Sequence, residues 1–270
     1  VQEPSVAYAV SNATTLTFTA APSSNSGNNI FVYYLASQVG TVGHPSNQAL
    51  SATNGTFSGN TTVAGTSTFT GDVTVGDGSA ADKKILFDGN AVDYHIGLDD
   101  SADSLIIGKG SALGTTTSMA FNADGIITKP LQPAFLANVG TSQDNVAINS
   151  NVTILFNTEI FDQNADYNTS NYTFTAPVTG RYFLTYNLSV NAPDAAAAYY
   201  QLKITTSNRT HIRTHNEAES TDPAYDTFNY SVITDMDASD TATITFYQQD
   251  GTAQTDIRAT ESTFSGYLVA

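Results

Sequence analysis

Residues 56–78, TFSGNTTVAGTSTFTGDVTVGDG, repeat a unit of six residues. Thr56, Thr62, Thr68 and Thr74 each precede an apolar residue, Phe57, Val63, Phe69 and Val75, and Gly59, Gly65 and Gly71 stand two positions after the first three of those. One apolar side chain in six buries too little surface to offset backbone ordering, which costs on the order of 1–2 kcal/mol per residue. A solenoid needs several stacked coils, and this stretch supplies little more than one. Burial against the same residues of other copies removes the difficulty: threefold winding about a common axis, glycines at the tight turns, threonine hydroxyls outside. Phe57, Val63, Phe69 and Val75 are therefore the expected core of a β shaft shared by three chains. A flexible Thr/Gly-rich linker is the alternative.

The rest of the chain reads as all-β, with period-two apolar alternation and no stretch at helical spacing. Thr15 to Ala20 and Ile30 to Leu35 suggest a small hairpin module across a polar, Gly-containing turn. From Lys83 to Lys129, short β segments (ILFDG, YHIGL, SLIIGKG, SMAFNADG) close on Asp-Gly or Gly-Lys-Gly turns, predicting small hairpins stacked along the shaft axis. After Pro130 the strands lengthen: RYFLTYNLSV puts Tyr182, Leu184, Tyr186, Leu188 and Val190 on one face, and seven or eight such strands suit a two-sheet jelly roll. The expected organisation is an N-terminal attachment module over 1–42, a linker and hexad shaft over 43–82, a short-hairpin shaft domain over 83–129 and a jelly-roll head over 130–270.

Charge narrows the partners. With 25 acids against 9 bases, the net charge is −16, the wrong sign for nucleic acid or anionic membranes. No apolar run approaches the roughly 20 residues of a membrane-spanning helix, so no membrane insertion is expected. The chain has no cysteine, which excludes disulfides, thiolate metal sites and a cysteine nucleophile. Neither G-x-S-x-G, H-E-x-x-H nor a phosphate loop occurs, and no carboxylate pair is singled out by spacing, so the expectation is a protein without catalysis and with no certain cofactor. A carbohydrate depolymerase would need two placed carboxylates.

PAFLANVG from Pro133, YTFTAPVTGRYFLTYNLSV from Tyr172 and STFSGYLVA from Ser262 resemble the globular head of complement component one, subcomponent q, in the tumour-necrosis-factor-like superfamily. The matching positions are Phe135, Phe174, Pro177, Gly180, Tyr182, Phe183, Phe264, Gly266 and Leu268. The resemblance implies a ten-stranded jelly roll that assembles as a tight trimer. It departs at VITDMDASDTATI, where Ser239-Asp240 stands in place of the family's usual Gly-Asp turn. The first 35 residues resemble part of a module of bacteriophage fibre proteins whose longer first half precedes QEP, which implies that Val1 lies inside that module.

These readings converge on a homotrimeric phage tail fibre, carried on the virion and acting extracellularly. Its partners would be two further copies of itself, other virion proteins at the N-terminus and a host-surface glycan or protein. A structural or capsid-mounted decoration protein and a bacterial surface or spore-coat adhesin are the alternatives. Polar, tyrosine-bearing loops over 191–200 and 216–226 are the expected ligand surface, with Tyr199, Tyr200 and Tyr225 as stacking platforms. Asp235, Asp237 and Asp240 are candidate calcium ligands, as are Asp99, Asp100 and Asp103, though neither group has a full calcium-loop pattern. His211 and His215 would lie about 13 Å apart on one strand face, too far to share an ion within one chain.

Overall fold

A computed structural model describes residues 8–12, 15–20, 55–216 and 220–270. The chain divides into two compact units, Val1–Thr68 and Phe69–Ala270. In the first, β1 (Tyr8–Asn12) and β2 (Thr15–Phe18) form an antiparallel hairpin, with the Tyr8 and Phe18 rings 6.4 Å apart. The strand expected from Thr15 therefore pairs with the segment before it; Ile30 to Leu35 lie outside the described residues. Residues 55–82 form no strand, and Phe57, Val63, Phe69 and Val75 are 70%, 56%, 71% and 49% exposed.

Residues 83–128 form one antiparallel meander instead of separate stacked hairpins: β3 (Lys83–Phe87), β4 (Tyr94–Asp99), β5 (Ser104–Lys109), β6 (Thr117–Phe121) and β7 (Ile127–Thr128), hydrogen-bonded in sequence order. Each inner strand uses both of its edges, which leaves none free to stack as an independent hairpin. The register places Ile85, Ile96, Ile107 and Met119 in one row across the sheet, and Leu98, Leu105, Phe121 and Ile127 in the next, on the same face. The opposite face buries His95 and Ile106. A strap over 110–116 crosses it, held by Lys109 N–H donating to the Thr116 carbonyl (2.9 Å), Lys84 Nζ donating to the Ser111 carbonyl, and His95 Nδ1–H donating to the Gly110 carbonyl (2.8 Å). Gly108 makes this approach feasible: a Cβ there would lie 2.6 Å from His95 Nε2.

The C-terminal segment is a two-sheet sandwich of β8 (Ala134–Asn138), β9 (Val152–Thr153), β10 (Thr158–Asp162), β11 (Tyr167–Asn168), β12 (Thr173–Thr175), β13 (Gly180–Asn191), β14 (Tyr199–Thr206), β15 (Thr210–His215), β16 (Tyr225–Met236), β17 (Thr241–Gln249), β18 (Asp256–Ile257) and β19 (Thr263–Leu268). One sheet runs β10-β8-β19-β13-β16 with β18 beside β13, and the other β11-β12-β17-β14-β15 with β9 beside β17. The chain passes repeatedly between sheets, β12 to β13, β13 to β14, β15 to β16, β16 to β17, as in a jelly roll. Among the described residues there is no helix.

The core lies between the sheets. Strand β13 sends Tyr182, Leu184, Tyr186, Leu188 and Val190 inward, all at most 1% exposed. Phe135 centres an aromatic cluster, stacked on Phe174 (4.7 Å) and Tyr167 (5.0 Å) and edge-on to Phe264 (4.9 Å). Gly266 lets strands close over it, since a Cβ would come 2.6 Å from a Leu184 methyl and 2.9 Å from the Phe135 ring. Two buried phenols donate to carbonyls, Tyr167 to Phe156 (2.9 Å) and Tyr182 to Val178 (2.7 Å), and burial pushes both hydroxyl pKa values up, while the buried Tyr186 hydroxyl has no hydrogen-bond partner among the described residues.

A polar cleft on the jelly-roll head

At its far end β13 meets two neighbours at once. Asn191 is in register with Tyr225 at the start of β16 on one side and with Asp256 of the two-residue strand β18 on the other. The segment after β8 crosses the same corner, Gln143 exchanging backbone hydrogen bonds with Ile257 (2.9 Å each way) and Asn145 N–H donating to Asp256 Oδ1 (2.7 Å). The result is a shallow, mainly polar cleft of about 200 Å³ lined by Ser142, Asp144, Asn191, Tyr225, Asp256, Ile257 and Arg258.

Tyr225 and Arg258 form its prominent pair. The guanidinium carbon sits 4.3 Å from the Tyr225 ring centroid, and Arg258 Nη2 pairs with Glu261 Oε1 at 2.7 Å. Glu261 also accepts from Ser189 Oγ (3.1 Å), so the arginine is anchored to β13. Tyr225 remains 60% exposed. The cleft thus offers an aromatic platform beside hydroxyl, amide and carboxylate groups, a lining suited to a hydroxyl-rich ligand. It holds neither histidine nor cysteine, and so no Ser–His or Cys–His pair.

Of the tyrosines expected at a ligand surface, only Tyr225 is here. Tyr200 is a correction: it is fully buried, its ring packed on Phe228 and Phe246, its hydroxyl accepting from Asp194 N–H (2.7 Å). Strand β14 begins at Tyr199, so the two consecutive tyrosines point to opposite faces and one must enter the core. Tyr199 lies on the outer face of the other sheet, stacked with Tyr247 at 6.3 Å and donating to Gln249 Oε1 (3.2 Å). The 191–200 loop is pinned by Asp194, whose carboxylate accepts from the N–H groups of Ala196 (2.8 Å), Ala253 (2.6 Å) and Thr252. Burial raises the Asp194 pKa, but those N–H groups outweigh it and hold the carboxyl below the usual range.

The candidate calcium ligands are not brought together. Asp235 pairs with Arg209 (2.6 Å), and Asp240 Oδ2 accepts from Asp237 N–H (2.8 Å) within the β16–β17 turn. Asp99 accepts from Ser101 Oγ (2.7 Å) and Ala102 N–H (3.2 Å) in the β4–β5 turn. Among the described residues no group of three His, Cys, Asp or Glu side chains is placed to hold a metal ion. His211 bonds Thr234 Oγ1 (3.1 Å) and His215 lies edge-on to Phe228 (5.0 Å). Among the family-matching positions, Phe135, Phe174, Tyr182 and Phe264 are in the core. Phe183 packs on Tyr267 at 5.3 Å on the outer face of its sheet, Leu268 packs against the core edge, and Pro177 and Gly180 flank the turn into β13. Ser239 holds the left-handed conformation (φ 77°) that the family's glycine would take without strain.

The C1q domain family matches this chain over residues 134–269. The chain belongs to the C1q-domain family. Its C1q head is also similar to solved structures of low identity: the globular domain of zebrafish complement 1qA protein (16% identical, 52% of this chain and 98% of that one, TM-score 0.39), murine APRIL (8%, 51% and 99%, 0.38) and PRD1 vertex protein P5 (11%, 52% and 99%, 0.38). No curated protein matches the sequence. The C1q head carries the cleft at the β13–β16–β18 corner. Sequence reasoning reached Tyr225 and, as the first residue of a loop, Asn191; it missed Ser142, Asp144, Asp256, Ile257 and Arg258, which come from segments remote in sequence.

Proposed function

We propose that this chain is a subunit of a homotrimeric virion fibre that binds a host-surface ligand through its C1q head and performs no chemistry. The carrying observation is the exposure of all four hexad apolar residues, in phase along a stretch with no strand of its own. Apolar side chains so regularly placed are completed by other copies of the same sequence. A second row supports self-association in the head: Ile233, Phe183 and Tyr267 are cross-strand neighbours on the outer face of β16, β13 and β19, and Ile233 and Tyr267 are 59% and 48% exposed. Trimeric assembly is also what the resemblance to complement heads implies, and the N-terminal likeness to phage fibre modules supports a virion location.

In this reading residues 1–42 attach to other virion proteins, 43–82 wind into the shaft, 83–129 extend it, and 130–270 recognise the host. Three heads on one stalk raise avidity through effective concentration, so a shallow polar cleft suffices for attachment. The ligand class the cleft supports is a glycan stacked on Tyr225. Light scattering is expected to give three times the chain mass, with or without chelator, and a glycan array is expected to show binding that Tyr225→Ala and Arg258→Ala abolish. A monomer would refute the fibre; a trimer that binds no glycan or host cell would make it a decoration protein.

A further inference from the structure

The meander over residues 83–128 uses its two faces in a way that a sheet folding alone would not. The strap covers the face carrying His95, Gly97, Ile106 and Gly108, where the large apolar side chains are few. The face with the two rows of isoleucine, leucine, methionine and phenylalanine is left open: Ile85, Leu98, Leu105 and Ile127 are 45–53% exposed and Ile96 37%. The chain has thus spent its own covering segment on the less apolar side.

We propose that this open face is a self-association surface in its own right, packed against the same face of further copies of the chain. The inference rests on the homotrimer reading and adds to it a surface outside both the hexads and the head. Two observations favour a copy as the occupant. First, the row through Ile85, Ile96, Ile107 and Met119 contains no charge; the face's cations, Lys83 and Lys109, stand in the rows on either side of it, and Lys83 is paired with Asp77 at 3.2 Å. For chains of net charge −16, an uncharged surface is where mutual approach meets the least repulsion. Second, the area suffices: with Phe87 and Tyr94, paired in the next row of the same face and 55% and 52% exposed, seven half-exposed side chains present on the order of 700 Å², close to the roughly 800 Å² per partner of a stable interface. Strand β5 is central in the sheet, so Ile107 falls at the middle of the face and would meet its counterparts at the symmetry axis.

The absence of native cysteine makes the test direct. Single substitutions Ile96→Cys and Ile107→Cys on the open face, and Leu86→Cys on the strap side as control, are made in the full chain, checked for wild-type mass by light scattering, oxidised, and run without reductant. Leu86 pairs with His95 and so faces away from the isoleucine row, yet is 40% exposed. The expected result is disulfide-linked dimer from both isoleucine positions, up to about two-thirds of the chain since three thiols make one pair, and none from Leu86→Cys. Trimers without cross-linking at either isoleucine position, or with equal cross-linking at Leu86→Cys, overturn this inference and leave the homotrimer reading standing. A monomeric mass overturns both.

Discussion

The head and the residues upstream of it treat their aromatic and aliphatic side chains in opposite ways. Within 134–269, Phe135, Phe156, Phe174 and Phe264 are at most 1% exposed and belong to one continuous core. Across 55–128, Ile106 is the one large apolar residue that is buried, while Phe57, Phe69 and Phe87 are 70%, 71% and 55% exposed. The residue types are the same, so the difference lies in whether a single chain can bring two apolar faces together. Two sheets facing each other do so in the head; a six-residue repeat and a lone meander do not. Stability of the head core is therefore built within one chain, whereas the upstream segments have no such core and, in the proposed trimer, would gain theirs from assembly.

The largest expected effect comes from opening the head core. Phe135→Ala removes a ring that touches three others and leaves a cavity, at a cost of about 3–5 kcal/mol. Thermal unfolding of the head should fall by on the order of 10 °C. A much smaller shift, followed by calorimetry, would mean that the head too draws its stability from contacts between chains, and the comparison would fail.

Asp194 tests the head's polar closure. Its carboxylate satisfies backbone N–H groups of two separate loops, so Asp194→Asn should cost about 2 kcal/mol at neutral pH. Because the folded-state pKa is depressed, the carboxylate's contribution is full above the unfolded value near 4 and is lost as pH falls through the folded one. The gap in denaturation midpoint between wild type and variant should therefore narrow below about pH 4. A pH-independent gap would assign the loss to packing instead of to charge.

Much of the head was legible because a two-faced strand writes its burial as alternation, as in residues 181–190. The cleft was not, for reasons of length and distance. Strand β18 is two residues long, too short to carry a period, yet it sets Asp256 and Arg258 beside Tyr225. Strand β10 has an irregular register between Glu159 and Phe161 and an almost wholly exposed pattern, so no alternation announces it. Tyr200 closes the 191–200 loop but is also the second residue of the YYQLKI strand, and it is the strand's alternation, not the loop, that decides its burial. The meander's segments were visible one by one, but which face each presents emerges only once the register across five strands is known.

Ser239 offers a gain instead of a loss. At φ 77° a side chain is strained, and Ser239→Gly removes that strain while keeping the N–H that donates to the Ala176 carbonyl at 2.7 Å. The left-handed region costs a non-glycine residue about 1–2 kcal/mol, part of which glycine's greater unfolded-state freedom cancels. A net stabilisation of about 1 kcal/mol is expected in chemical denaturation. A destabilised variant would show that the Ser239 side chain makes up for its backbone.

The smallest effect on the head is the sharpest test of the comparison. Phe69→Ser replaces a ring that is 71% exposed and touches none of the head's core. Substitutions at such positions change single-chain stability by less than about 0.5 kcal/mol, so the head's unfolding temperature should stay where it is. What should change, if the proposed shaft forms, is cohesion upstream: the assembled chain is expected to become more sensitive to protease across residues 55–82, having lost one of the rows that the proposal buries between copies. If Phe69→Ser lowered the head's unfolding temperature as far as Phe135→Ala does, the two regions would be one cooperative structure. The exposed hexads would then be part of the head's own stability instead of an interface awaiting further copies.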